Sequence, residues 1–189
     1  LRRIAPQASF ELERIPFAPL AVVALGFARQ AVAHDLQGFG FVVPGREKRE
    51  LLGSLWTSSI FDGRAPDGHV LLRNMLGGAE NPAVTGLPDD ALVDLTLAEL
   101  RPLLGLRGPP VRSEVIRHEH AIAQYEVGHP ARLRRLDEAV GRCPGLVLTG
   151  SSYRGIAVNS CVKEAERIAA TVHQTLAAVA GPAGRKANP

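Results

Sequence analysis

The stretch "GLVLTGSSYRGIAVNSCVKEAERIAATV", residues 145–172, decides how this chain is read. The apolar "LVLT" (146–149), bounded by Gly145 and Gly150, predicts a buried strand. A glycine-bearing turn follows over 150–157, and then a helix from about Ala157 to Ala180. Cys161, Ala165, Ile168, Val172, Leu176 and Val179 recur at helical spacing and make one apolar stripe. Asn159 has the side-chain oxygen expected of an N-cap. At about 1.5 Å per residue such a helix is on the order of 35 Å long, and its stripe predicts that it spans a core.

The turn between strand and helix is where chemistry is expected. Gly150 and Gly155 permit positive φ and a close backbone approach. Amides around Ile156, Ala157 and Val158 would open the helix with a partial positive charge. Such an end stabilises an adjacent anion by roughly 0.3–1 kcal/mol. The anionic N1–C2=O edge of a reduced flavin would suit it. A plain packing turn explains the same residues, and the stretch by itself leaves both readings open.

Outward from this segment, composition narrows the field. The chain has 189 residues, 46% hydrophobic and 22% charged, which suits one large or two small globular domains. A net charge of +3 and 5% aromatic residues offer neither a strong basic field nor stacking platforms, so no nucleic-acid partner is expected. Cys143 and Cys161 are the only cysteines, with no metal-type spacing, and are expected to be reduced thiols. The most apolar run, "PLAVVALGFA" (19–28), is about half the roughly 20 residues of a membrane-spanning helix. No secretory signal is visible. The first residues, "LRRIAPQASF", have no initiating methionine and look like the interior of a longer protein.

Between the ends, a sheet is expected over about 20–76. "LAVVALGF" (20–27) is a Val-rich run, "GFGFVVPG" (38–45) a short strand, and "HVLLRNML" (69–76) another. In "LLGSLWTSSIF" (51–61) rough alternation puts Leu52, Ser54, Trp56 and Ser58 on one face. Residues 5–17 are helix-permissive but broken by prolines. A helix is predicted over 87–104, with Asp89 and Asp90 at its start, Gly105 at its stop and Pro102 in a bent last turn. Leu92, Leu95 and Leu103, with Val93, Leu97, Leu100 and Leu104, supply its apolar positions. "VRSEVIRHE" (111–119) reads as a strand and "PARLRRLDEAVGR" (130–142) as a short amphipathic helix, its Arg132, Arg134 and Arg135 forming a solvated face. A frayed tail is expected over 181–189. The fold class is α/β (α+β) with a mixed or antiparallel sheet.

Several chemistries are disfavoured. "GFGFVVPG" carries Gly38 and Gly40, but Val43 stands where G-x-G-x-x-G needs its third glycine, and no helix follows. His118 and His120 share one side of a strand without a third ligand, so no metal is expected. "GSSYRG" is not the nucleophile elbow G-x-S-x-G.

Four stretches together resemble the C-terminal part of the oxygen-dependent protoporphyrinogen oxidases, flavoproteins of haem biosynthesis in the amine-oxidase superfamily. They are "LQGFGFVVPGRE" (36–47), "LLGSLWTSSIFDGRAPDGHVLLRNMLGG" (51–78), "AIAQYEVGHPARL" (121–133) and "GLVLTGSSYRGIAVNSCV" (145–162). The resemblance implies that residues 1–144 belong to a substrate domain and 145–180 to the closing strand–turn–helix of an FAD domain. It implies an N-terminal FAD-binding half with no counterpart in this chain.

By the same resemblance FAD is the cofactor and a porphyrinogen the substrate. Six hydrogens leave in three two-electron steps, with molecular oxygen as the acceptor. Ile156, Ala157, Val158 and Gly150 would contact the flavin, with His118 near it, and Trp56 would flank the tetrapyrrole. No protein residue need act as a catalytic acid or base. A cytoplasmic setting with peripheral contact on the inner face of a membrane, and a homodimer, are compatible with the family. Coproporphyrinogen III oxidation and a non-catalytic porphyrin-binding module are the alternatives. Ala123 stands where the family has a proline, Ser160 where it has an acid, and Ala165 where a glycine is common.

Overall fold

A computed structural model describes residues 1–180. The expected tail, 181–189, lies outside the described residues. The chain divides into two compact units, one of residues 17–122 and one combining 1–16 with 123–189. These boundaries differ from the division at 144/145 that the sequence suggested.

The first unit is built on a five-stranded sheet. Its strands are β1 (Phe17–Ala28), β2 (Gly40–Val42), β3 (Leu51–Trp56), β4 (His69–Gly77) and β5 (Arg112–Ala123), in the spatial order β2-β3-β4-β1-β5. β1 pairs antiparallel with β4, β4 with β3, and β3 with β2. Amide bonds from Val111 to Gly26 and from Gln124 to Pro16 run the last strand antiparallel to β1 as well. Of the mixed or antiparallel sheet expected, the antiparallel form is realised.

One face of the sheet is the core of this unit. β1 contributes Ala21, Val23, Leu25 and Phe27, and β4 contributes Val70, Leu72 and Leu76. α3 (Asp89–Leu104) closes over them with Leu92, Leu97, Leu100 and Leu104. Each such side chain, fully buried, stabilises by roughly 1.5–3 kcal/mol. Leu103, predicted in the apolar stripe, is instead exposed, while its neighbour Leu104 is buried. Gly105 ends the helix in the left-handed conformation, its N–H donating to Arg101 O at 2.9 Å.

Two sequence expectations are corrected in β3. A bulge between Leu51 and Gly53 takes Leu52 out of register, so Leu51 joins Ser54 and Trp56 on the buried side. The strand then ends at Trp56, and Ser58 falls in α2 (Thr57–Ile60) rather than on the strand.

The second unit is helical. α1 (Pro6–Glu13) packs on α4 (His129–Gly141) through Ala5, Ala8, Leu136 and Ala139. Glu11, 8% exposed, accepts from Arg135 Nε at 2.7 Å and Nη2 at 2.9 Å. That two-pronged bond holds the Glu11 carboxyl below its ordinary range. Arg135 is thus engaged with Glu11 while staying exposed, at 54% of its side chain, on the solvated face. α5 (Val158–Ala180) completes the unit.

Here the sequence misled twice. Residues 146–149 form no strand, because a strand exists only beside another and none runs beside these residues. They keep the alternation of one: Leu146 and Leu148 pack toward α1 and α4, while Val147 is exposed. Nor does α5 span a core. Cys161 and Ile168 are half-buried, but Ala165, Val172 and Leu176 are exposed, and the Val179 side chain lies outside the described residues.

Candidate functional site

The turn 150–157 is held from within by side chains that the sequence did not single out. The Tyr125 hydroxyl donates to Ser151 O at 2.8 Å and accepts from the Gly155 N–H at 3.0 Å. His129, 5% exposed, bonds Tyr153 O through Nε2 at 2.9 Å, and its ring stacks on Tyr125 at 4.1 Å between centroids. A carbonyl can only accept, so Nε2 is the donor in this bond, and Nδ1 is buried without a partner. Arg154 reaches Asp137 on α4 and lies 3.5 Å from Glu164 on α5. Arg167 donates twice to Glu164, and these bonds lower that carboxyl's pKa. Burial raises the pKa of the Tyr153 phenol.

With its inner side so anchored, the turn presents its far end outward. Ile156 is 56% exposed and Val158 77%, with Ala157 exposed between them. The Ala157 carbonyl accepts from the Ser160 and Cys161 amides at 3.0 and 3.1 Å. Ala157 is therefore the N-cap residue, and Asn159 lies inside the first turn instead of capping it. Gly155 has φ +149°, and a Cβ there would fall 2.5 Å from Ser160 Cβ, so glycine is required. Gly150, at φ +127°, opens the turn.

Ile156, Ala157, Val158 and Gly150 thus come together in the helical unit. His118 and Trp56 belong to the sheet unit, on strands that β4 and β1 separate. His118 is exposed on β5. Trp56 is 6% exposed within the core cluster, its ring 4.7 Å from that of His34 and its indole N–H without a partner. Beside it, Ser54 Oγ and Asn74 Oδ1 are also buried and unpartnered.

The other face of the sheet carries a cavity of about 470 Å³. Ala24, Gly26 and Leu71 line it, with Arg64, His69 and Arg112 among the polar groups. Small and apolar side chains on a sheet, with the Glu114 carboxylate beside Arg112 and with Arg64 also at the lining, suit a ligand with a broad apolar body and a few polar groups. Among the described residues no three His, Cys, Asp or Glu side chains group to hold a metal, and no helix is long and apolar enough to cross a membrane.

A sheet with one open face and a glycine turn feeding a long helix define the class. Residues 3–173 match the sequence profile of the flavin containing amine oxidoreductases, and the chain belongs to that family. Porphyrinogen oxidases are among its relatives. The coproporphyrinogen III oxidase of Bacillus subtilis (strain 168) is 31% identical over 77% of this chain and 31% of its own length. The chloroplastic protoporphyrinogen oxidase of Oryza sativa subsp. japonica is 31% identical over 93% of this chain and 35% of its own. A crystal structure from Exiguobacterium sp. 255-15, provisionally assigned as a protoporphyrinogen oxidase, superposes with a TM-score of 0.75 at 26% identity, covering 90% of this chain and 38% of that one. The chain spans about a third of the length of the curated relatives it matches.

Proposed function

We propose that this chain is the C-terminal portion of an FAD-dependent porphyrinogen oxidase, which converts protoporphyrinogen IX to protoporphyrin IX with oxygen as the acceptor. The observation that carries the proposal is the turn at 150–158, braced by Tyr125 and His129 and open at Ile156, Ala157 and Val158. Its residues fit one edge of a flavin. The helix-start amides face outward, the neighbouring side chains are apolar, and Gly155 admits no Cβ. They offer nothing for a pyrophosphate, so the ADP end of the cofactor belongs to a missing N-terminal FAD-binding half.

When bound, flavin supplies the two-electron acceptor for each substrate step. This chain's residues orient and exclude. The amides at the start of α5 favour negative charge beside them. Ile156 and Val158 keep that edge dry, and the hydroxyl of Tyr125 fixes the turn before any ligand arrives, so little ordering is needed on binding. In the sheet unit the open face offers a wall to a flat tetrapyrrole. Trp56 contributes from behind, by filling the core that supports this wall, and His118 on β5 is proposed to lie on the flavin side.

A second reading has its own support. The B. subtilis relative is a coproporphyrinogen III oxidase, as is that of Propionibacterium freudenreichii subsp. freudenreichii, 34% identical over 89% of this chain. Coproporphyrinogen III is the alternative substrate.

Complementation tests the proposal. The chain is expressed alone, and together with the N-terminal portion of the B. subtilis relative. Alone it is expected to retain no flavin; complemented, it is expected to turn yellow and to convert porphyrinogen to fluorescent porphyrin with oxygen uptake. Stoichiometric FAD on the chain alone would contradict the division of the site. A complemented pair that binds flavin but never produces porphyrin would overturn the function.

A further inference from the structure

Arg73 occupies an unusual place. It lies on β4, the third of five strands, where the flanking residues Leu72 and Asn74 point into the core and are fully buried. Arg73 therefore projects from the opposite, open face. Its cross-strand neighbours there are Ala24 on β1 and Leu55 on β3, and its neighbours along the strand are Leu71 and Met75. All four are apolar and half-buried. Two of them, Ala24 and Leu71, also line the 470 Å³ cavity, whose lining does not include Arg73 itself.

Among the described residues the Arg73 side chain has no hydrogen bond and no ion pair, as is also true of Arg101 and Arg107; of the arginines of this unit it is the one on the middle strand of the sheet, and several others are engaged. Arg29 donates to Val32 O and His34 O, Arg49 pairs with Glu99, and Arg117 bonds Thr85 O, Leu87 O and Asp89. Arg112 is 3.4 Å from Glu114, and Arg64 lies over the Phe61 ring. An unpaired guanidinium in the middle of an apolar sheet face has five donors in a planar fork and no acceptor. A carboxylate on a ligand with a broad apolar body matches both parts of this surface.

We infer that Arg73 is a specificity-determining residue, binding a carboxylate of the porphyrin-type substrate while its ring lies along Ala24, Leu71, Met75 and Leu55. The inference rests on the porphyrinogen reading. Porphyrinogens carry propionates at the periphery of a broad, largely apolar macrocycle, and Arg73 would fix which edge of the ring faces this part of the sheet. A surface that is otherwise apolar would bind the ring but could not orient it.

The test is a fluorescence titration of the full chain with coproporphyrin III and with its tetramethyl ester, which keeps the ring and removes the charges. The Arg73→Leu variant is expected to bind the acid roughly tenfold more weakly and the ester unchanged. Arg73→Lys, which keeps the charge but not the fork, is expected to fall between. Because Arg73 is exposed, retained ester binding also reports that the variant is folded. Equal loss for acid and ester, or no loss for either, would overturn the inference while leaving the porphyrin reading intact. If neither ligand binds saturably to the unsubstituted chain, the role of Arg73 in this chain is overturned, while the porphyrinogen reading stands or falls by the complementation.

Discussion

Phe27 and Leu176 are both large apolar side chains on the apolar faces of their elements, yet the first is fully buried and the second is 63% exposed. The sheet unit answers its own patterning: β1 and β4 present one apolar face, and α3 returns in the chain to cover it. The helical unit does not. α5 carries an equally regular stripe, but the described chain covers little of it beyond Ile168 and Cys161. Periodicity states which face seeks cover; it does not state that the cover lies in the same chain.

Substitution can break this contrast. Phe27→Ala should cost about 3–5 kcal/mol in urea unfolding of the full chain, since it leaves a cavity in a closed core. Leu176→Ala, on the open stripe, should change stability by less than about 0.5 kcal/mol. A comparable cost at both positions would mean that α5 is packed after all.

Within the helical unit, Tyr125→Phe should free the turn without loosening the helices. It removes an acceptor from the Gly155 amide and a donor to Ser151 O, with an expected cost of about 1–2 kcal/mol. Hydrogen exchange should show the Gly155 amide lose protection while amides inside α4 keep theirs. Equal loss in α4 would give Tyr125 a general structural role instead of a bracing one.

Acid should act more gently, and within the helical unit. The Glu11 carboxyl is held below its ordinary range by Arg135, so the folded state binds its proton less readily than the unfolded state does. Its contribution is present above the ordinary carboxylate pKa and is lost as pH falls through the depressed folded value. Contacts between α1 and α4, followed by the exchange of their amides, should weaken on acidification, and Glu11→Gln should flatten that dependence. An unchanged profile in the variant would remove the pair from the account.

Much of this was legible in residues. The helix 89–104 announced itself through Asp89, Asp90, a 3–4 spacing of leucines and Gly105, all local signals. The glycine turn was visible for the same reason, because Gly150 and Gly155 mark backbone that other residues cannot follow. What held the turn was not visible. Tyr125 and His129 lie 26 and 24 residues from the groups they bond, and nothing in "YEVGHPARL" says where a hydroxyl or an imidazole will point. The one available hint was a polar aromatic four residues before a histidine, with Gly128 between them allowing the chain to double back.

By itself the sequence determined the strands of the sheet, the helix that covers them and the turn that meets the start of α5, since propensity, periodicity and glycine chemistry act over a few residues. Tertiary structure alone decided that "LVLT" is no strand, that the stripe of α5 lies open and that Arg73 stands unpaired on a bare sheet face. Each of these depends on what lies across from a residue, and partners for hydrogen bonds, burial and charge come from parts of the chain, or from other molecules, that a linear pattern does not specify.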